Sequence, residues 1–167
     1  FWTDPAGTSG THVIRRAGPG PGLQTIVGGL SDPRGMALDT QNTKMYWTAL
    51  GLGSIRRANL DGTGVEPVVA TPNTGGGIAL DVPAGKLYWS DGTLGAGQIK
   101  RANFDGSGIE TIVSSGLFHA AAVSLDLIQQ KVYWTDLEGH LDGNGKIQRS
   151  NLDGSNIETI LTGIDEA

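Results

Sequence analysis

An all-β fold is predicted: a β-propeller of four-stranded antiparallel blades, with about four blades in the chain. Three observations carry this. An aromatic pair recurs as Tyr46-Trp47-Thr48, Tyr88-Trp89-Ser90 and Tyr133-Trp134-Thr135, and Phe1-Trp2-Thr3 opens the chain. All four tryptophans sit in this motif, 45, 42 and 45 residues apart, and self-similarity at that period marks one supersecondary unit stacked several times. Glycine is 27 of 167 residues, about twice the usual share of roughly 7%, as a chain full of turns requires.

Each repeat reads as four short strands. The first covers 35–39, 77–81 and 122–126, and the second carries the Tyr-Trp pair. The third covers 55–59, 99–103 and 147–151, with a looser copy at 14–17, and the fourth covers 66–69, 110–113 and 158–161. Asp-Gly pairs at 61–62, 105–106 and 153–154 join strands three and four, and Asp-Gly is a strong hairpin signal because the turn needs positive φ. Pro67 suits an edge strand, since proline donates nothing to a ladder. In the second strand Met45 and Trp47 point to one face and Tyr46 and Thr48 to the other. Large groups on both faces predict a sheet covered on both sides by neighbouring sheets, as in a propeller blade. A β-sandwich is the alternative, but it does not demand a strict four-strand repeat.

The run 33–39 (PRGMALD), then Tyr46-Trp47-Thr48, then 55–62 (IRRANLDG), resembles the YWTD repeat of low-density lipoprotein receptor-type propellers, and the resemblance recurs along nearly the whole chain. It implies a six-bladed family fold whose members mostly bind proteins, and an extracellular setting. Two copies depart from the pattern. Ala49 stands where Asp4, Asp91 and Asp136 complete the motif elsewhere, and residues 18–22 (GPGPG) replace the Asn-Leu-Asp-Gly turn in the first repeat.

The blades are expected at about 1–30, lacking its first strand, then 31–72, 73–116 and 117–163. Four is fewer than the family's six. The chain is therefore expected to be part of a longer propeller, or to pair as a homodimer into an eight-bladed ring, because open sheet edges are a liability.

The net charge of −5 argues against a nucleic-acid partner, no apolar run approaches the ~20 residues of a membrane-spanning helix, and the absence of cysteine excludes disulfides and thiolate metal sites. Twelve of the 17 acids recur with the repeat. They are Asp4, Asp91 and Asp136 after the Trp strand, Asp39, Asp81 and Asp126 ending the first strand, Asp61, Asp105 and Asp153 in the hairpin, and Glu66, Glu110 and Glu158. The third-strand Arg16, Arg57, Arg101 and Arg149 recur as well. Groups present once per blade are expected to join blade to blade, like the aromatic repeat residues Trp2, Trp47, Trp89, Trp134, Tyr46, Tyr88 and Tyr133.

Function is expected where the repeat breaks down. The first-strand Asp precedes Trp by 8 residues in all three complete blades, but Trp precedes the third-strand Ile by 12, 8, 10 and 13. In such blades the two–three loops and the blade-to-blade connections emerge at one end, and variable loops on a rigid scaffold are where binding usually lives. Candidate ligand-binding residues there are Asp32, Arg34, Phe118, His119, Glu138, His140 and Asp142. Phe118 has a competing role as local core over the blade rim. The loop around Asp142 and Asn144 offers oxygen ligands to calcium, against a plain solvated turn, but Lys146 breaks the EF-hand pattern. No other cofactor and no catalytic residue is predicted, since no nucleophile elbow appears and Gly75-Gly76-Gly77 precedes a strand. The expected function is non-catalytic binding of a protein or glycan. The alternatives are a lectin with repeated weak sites and a propeller lyase or lactonase holding a metal in the hub.

Overall fold

A computed structural model describes residues 1–4, 12–18, 22–70, 74–92, 94–137 and 145–164. These form one three-stranded and three four-stranded antiparallel sheets. The first sheet is β1 (Trp2–Asp4), β2 (His12–Ala17) and β3 (Leu23–Leu30). The second is β4 (Pro33–Asp39), β5 (Lys44–Ala49), β6 (Ser54–Asn59) and β7 (Glu66–Ala70). The third is β8 (Thr74–Asp81), β9 (Lys86–Asp91), β10 (Gln98–Asn103) and β11 (Glu110–Val113). The fourth is β12 (Ala120–Asp126), β13 (Lys131–Asp136), β14 (Gly145–Asn151) and β15 (Glu158–Ile164). Each is a meander, with sequential strands paired in order. The sheets are numbered below as blades one to four.

The core lies between blades, in three clusters that repeat one another. Met45, Trp47 and Ala58 of blade two pack with Ile14 and Val27 of blade one. Tyr46, Ile55 and Val69 of blade two pack with Ile78, Leu87 and Trp89 of blade three. Tyr88, Ile99 and Val113 of blade three pack with Val132 and Trp134 of blade four. Trp47, Trp89 and Trp134 therefore face the preceding blade, and Tyr46 and Tyr88 the following one, as strand alternation predicts. At the outer faces the same positions are open: Trp2 is 37% exposed and Leu161 53%, against 0% for Trp89 and 3% for Val113.

The first strands of neighbouring blades meet closely. A Cβ on Gly35 would collide with the Gly76 carbonyl, and one on Gly77 with the Ala121 carbonyl. The third motif residue fastens the same seam. Thr3 Oγ1 donates to Arg34 O at 2.8 Å, Thr48 Oγ1 to Gly76 O at 3.0 Å and Ser90 Oγ to Ala121 O at 2.7 Å. On the outer side, Gly106 of the Asp-Gly hairpin has φ 84° and packs against the Val68 carbonyl of the preceding blade, so a side chain there is excluded twice over.

Among the recurring charges, Arg57 and Arg101 hydrogen-bond to the next blade, while Arg16 holds Gln24 and Arg149 holds Glu158 within their own blades. Arg57 Nη1 donates to Phe104 O at 2.9 Å and Arg101 Nη1 to Leu152 O at 3.0 Å, each in the next blade. The acids bond inside their own blades. Asp39 and Asp81 accept backbone amides in the turn after the first strand, Asp61, Asp105 and Asp153 bind Thr63, Ser107 and Ser155, and Glu66, Glu110 and Glu158 pair with Arg57, Arg101 and Arg149. Face-packed sheets lie about 10 Å apart, a gap that a guanidinium on its long stem spans and a carboxylate does not.

Candidate functional site

The two–three loops and the blade-to-blade connections emerge at one end of the sheets. Asp32 and Arg34 lie there, where blade one joins blade two. They form a two-pronged ion pair, Arg34 Nε to Asp32 Oδ1 at 2.8 Å and Arg34 Nη2 to Asp32 Oδ2 at 3.2 Å. Asp32, at φ 44°, donates its amide to His12 Nδ1 at 2.9 Å, and its carbonyl accepts Leu50 N at 3.0 Å. The junction is thus cross-linked to the loop of blade two. Arg34 keeps 56% of its side chain in solvent.

Phe118 and His119 belong to the connection entering blade four. Their backbone amides both donate to Asp136 Oδ1, at 2.9 and 2.8 Å, and the His119 carbonyl accepts Leu137 N at 3.0 Å. Leu117 is the residue of this connection that enters the core, at 7% exposure, while Phe118 is left 37% exposed. Its carbonyl accepts Gly95 N of the blade-three loop at 2.8 Å. The structure so brings Phe118 and His119 together beside Leu94, which is 61% exposed. Asp32 and Arg34 sit apart from them, on blade two. Glu138, His140, Asp142 and Asn144 lie outside the described residues, and with them the calcium candidates.

The motif acids, half-buried Asp4 and buried Asp91 and Asp136, are balanced unevenly. Asp4 pairs with Arg15 at 3.0 Å and Asp91 with Lys100 at 2.5 Å, each cation standing at the second residue of the third strand. In blade four that residue is Gln148, whose Oε1 accepts the Trp134 indole N–H at 3.2 Å. Asp136, fully buried, keeps Oδ2 without a hydrogen bond among the described residues. Conversely, the indole nitrogens of Trp47 and Trp89 lack a partner there. In blades three and four this position thus serves either the carboxylate or the indole.

Sequence reasoning missed Leu50, Leu52 and Leu94, exposed apolar residues of the two–three loops. Leu50–Leu52 form a short 3-10 turn. No spacing rule marks them, because loop leucines are exposed or buried according to the loop's path. The hydroxyl of the third motif residue was visible, as Thr3, Thr48, Ser90 and Thr135, but its acceptor in the next blade was not.

Among the described residues no group of three or more His, Cys, Asp or Glu side chains is placed to hold a metal, and no helix is long and apolar enough to cross a membrane.

Residues 85–127 match the low-density lipoprotein receptor repeat class B family, the stretch that runs from the Tyr88-Trp89-Ser90 strand β9 through β12. That stretch is a class B (YWTD) repeat, and the four sheets are the blades of a β-propeller. Mouse (Mus musculus) Nidogen-2 is 44% identical over 64 residues, covering 38% of this chain and 4% of Nidogen-2. A chain of a nidogen/laminin complex superposes with a TM-score of 0.80 at 24% identity, over 91% of this chain and 57% of that one. A gluconolactonase from Xanthomonas campestris superposes with a TM-score of 0.62 at 22% identity, over 75% and 42%. These two structural likenesses concern the fold. The chain spans little more than half the length of the first and a small fraction of Nidogen-2.

Proposed function

We propose that this YWTD array is an extracellular, non-catalytic module that binds a protein partner on its loop-rich end. The observation that carries this is the set of exposed apolar side chains there, Leu50, Leu52, Leu94 and Phe118, with the Phe118 backbone clamped by buried Asp136. A clamped aromatic is an interface anchor with little ordering cost. Arg34 adds a charged contact toward blade one, and His119 a polar one beside Phe118. Glu138, His140 and Asp142, and calcium at Asp142 and Asn144, stay within the proposal on their sequence alone. The likeness to a chain from a nidogen/laminin complex makes laminin the first probe. In surface plasmon resonance on immobilised laminin, Phe118→Ser with Leu94→Ser is expected to weaken binding at least ~10-fold, about 1.4 kcal/mol, with the melting temperature held. Undiminished binding by the double variant sinks this site, and no binding by the parent chain sinks the transfer of the partner.

The open faces of blades one and four favour a second reading, on assembly. Trp2 on one and Leu161 on the other repeat the chemistry of the internal interfaces. A second copy of this chain, or further blades of a longer one, would cover both. Native mass spectrometry decides, and a stable monomer of 17.4 kDa refutes a need for partners.

A further inference from the structure

Two clefts open at the end opposite the variable loops, where the third-strand arginine of one blade meets the hairpin of the next. One, of about 430 Å³, lies between blades three and four and is lined by Asp81, Lys86, Arg101, Gln130, Leu152 and Asp153, with Ala84 beside them. The other, of about 470 Å³, lies between blades one and two at the corresponding positions Arg16, Thr43, Asn59, Leu60 and Asp61. Between blades two and three the residue matching Leu60 and Leu152 is Phe104, whose ring centroid lies 5.2 Å from that of Tyr46. There an aromatic ring occupies the place that leucine leaves open at the other two junctions.

The blade three–four cleft holds uncommitted polar groups. Lys44 and Lys131 donate to Asn59 and Asn151 at 2.5 and 2.6 Å, but among the described residues no hydrogen bond or ion pair engages Lys86, their counterpart. Gln130 spends its amide nitrogen on Leu127 O and keeps Oε1. Asp153 spends Oδ1 on Ser155 and keeps Oδ2. Arg101 is pinned by Glu110 and the Leu152 carbonyl. With Glu110 on Arg101, the three acids Asp81, Asp153 and Glu110 stand against the two cations Lys86 and Arg101, a net charge of −1 that disfavours an anion as ligand. Adjacent donors and acceptors beside the apolar Leu152 and Ala84 match the hydroxyls and C–H face of a sugar, and the volume lies within the range of small-molecule sites.

We propose that this cleft binds a neutral monosaccharide unit, and that the blade one–two cleft is a second, weaker copy on the same face. Two such sites give avidity for a multivalent glycan without a strong single site. The proposal does not rest on the loop-rich end, and its failure leaves that reading untouched.

The test is an amide NMR titration with methyl glycosides of glucose, galactose, mannose and N-acetylglucosamine, with methyl glucuronide as the anionic control. At least one neutral glycoside is expected to give saturable shifts at the Gln130 side-chain amide and at Asn151 to Asp153, with a Kd of about 1 mM. Leu152→Phe, which copies the chain's own blade two–three packing, is expected to weaken this at least ~10-fold. Phe104→Leu is expected to add shifts around Arg57 and Asp105. Should Leu152→Phe lose its folded spectrum, Lys86→Ala replaces it with the same expectation. Absence of saturation by all four neutral sugars, preference for the glucuronide, or unchanged binding in the folded variant overturns the proposal.

Discussion

Arg57 reaches from blade two into blade three, its Nη1 donating to the carbonyl of Phe104 at 2.9 Å while its Nε holds Glu66 at 2.7 Å. Arg101 repeats both contacts one blade later. Arg149 keeps its Glu158, but its Nη1 turns to Tyr133 Oη at 3.2 Å within its own blade. Arg57→Gln is therefore expected to lose about 1–2 kcal/mol in urea unfolding, the range of a charge-assisted hydrogen bond at a partly exposed site. Arg149→Gln should lose clearly less, and equal losses would remove the inter-blade contact as the reason.

The tryptophans are chemically alike and differ in what covers them. Trp89→Ala opens a cavity in a closed cluster and is expected to cost about 3–5 kcal/mol. Trp2→Ala removes a ring already 37% exposed and is expected to cost under about 1 kcal/mol in the monomer. Denaturant curves compare them, and a large loss for Trp2 would mean that its face is covered in solution.

Asp136 tests the link between the scaffold and the loop-rich end. Asp136→Ala leaves the Phe118 and His119 amides without their shared acceptor. Each orphaned donor costs about 1–3 kcal/mol if it stays dry, and less if water reaches it. Hydrogen exchange at these two amides is expected to accelerate well beyond that of the β13–β14 ladder. Unchanged protection would show that the connection is held by Leu117 alone.

Stability should fall on both sides of neutrality. The Thr63, Ser107 and Ser155 hydroxyls hold the carboxyls of Asp61, Asp105 and Asp153 below the usual range, and Arg57 and Arg149 do the same for Glu66 and Glu158. A carboxyl with a depressed folded pKa contributes stability that is present above its unfolded value, about 4, and lost as pH falls through the folded one. Burial raises the Tyr46 phenol above its ordinary value of about 10, so its contribution is lost as pH rises beyond that. Melting temperature against pH should show both limbs, and Ser107→Ala should flatten the acid one. An acid slope unaltered by Ser107→Ala would assign it elsewhere.

Strand alternation makes the opposed faces of Tyr46 and Trp47 legible without coordinates, because side-chain direction in a strand has a period of two and both residues are too large to leave in water. The Asp-Gly pairs place the hairpins for the same local reason, since the turn needs positive φ. The loop-rich end was legible as a region, from the unequal spacing of Trp and Ile, but not as a surface. Whether Leu117 or Phe118 enters the core depends on the path of the connection, which the Asp136 carboxylate sets from 17 and 18 residues away.

By itself the sequence determined the repeat, the blade and the division of each blade into two covered faces, all of which follow from local periodicity and from burial of apolar side chains. Only the tertiary structure decided which recurring polar groups cross between blades. That choice depends on reach across a gap of about 10 Å, which Arg57 spans and Asp61 does not. It also decided that Gln148 serves Trp134 where Lys100 serves Asp91, and that Phe104 fills a cleft beside which Leu60 and Leu152 leave space. Such differences arise from partners brought together by stacking, and no single repeat contains them.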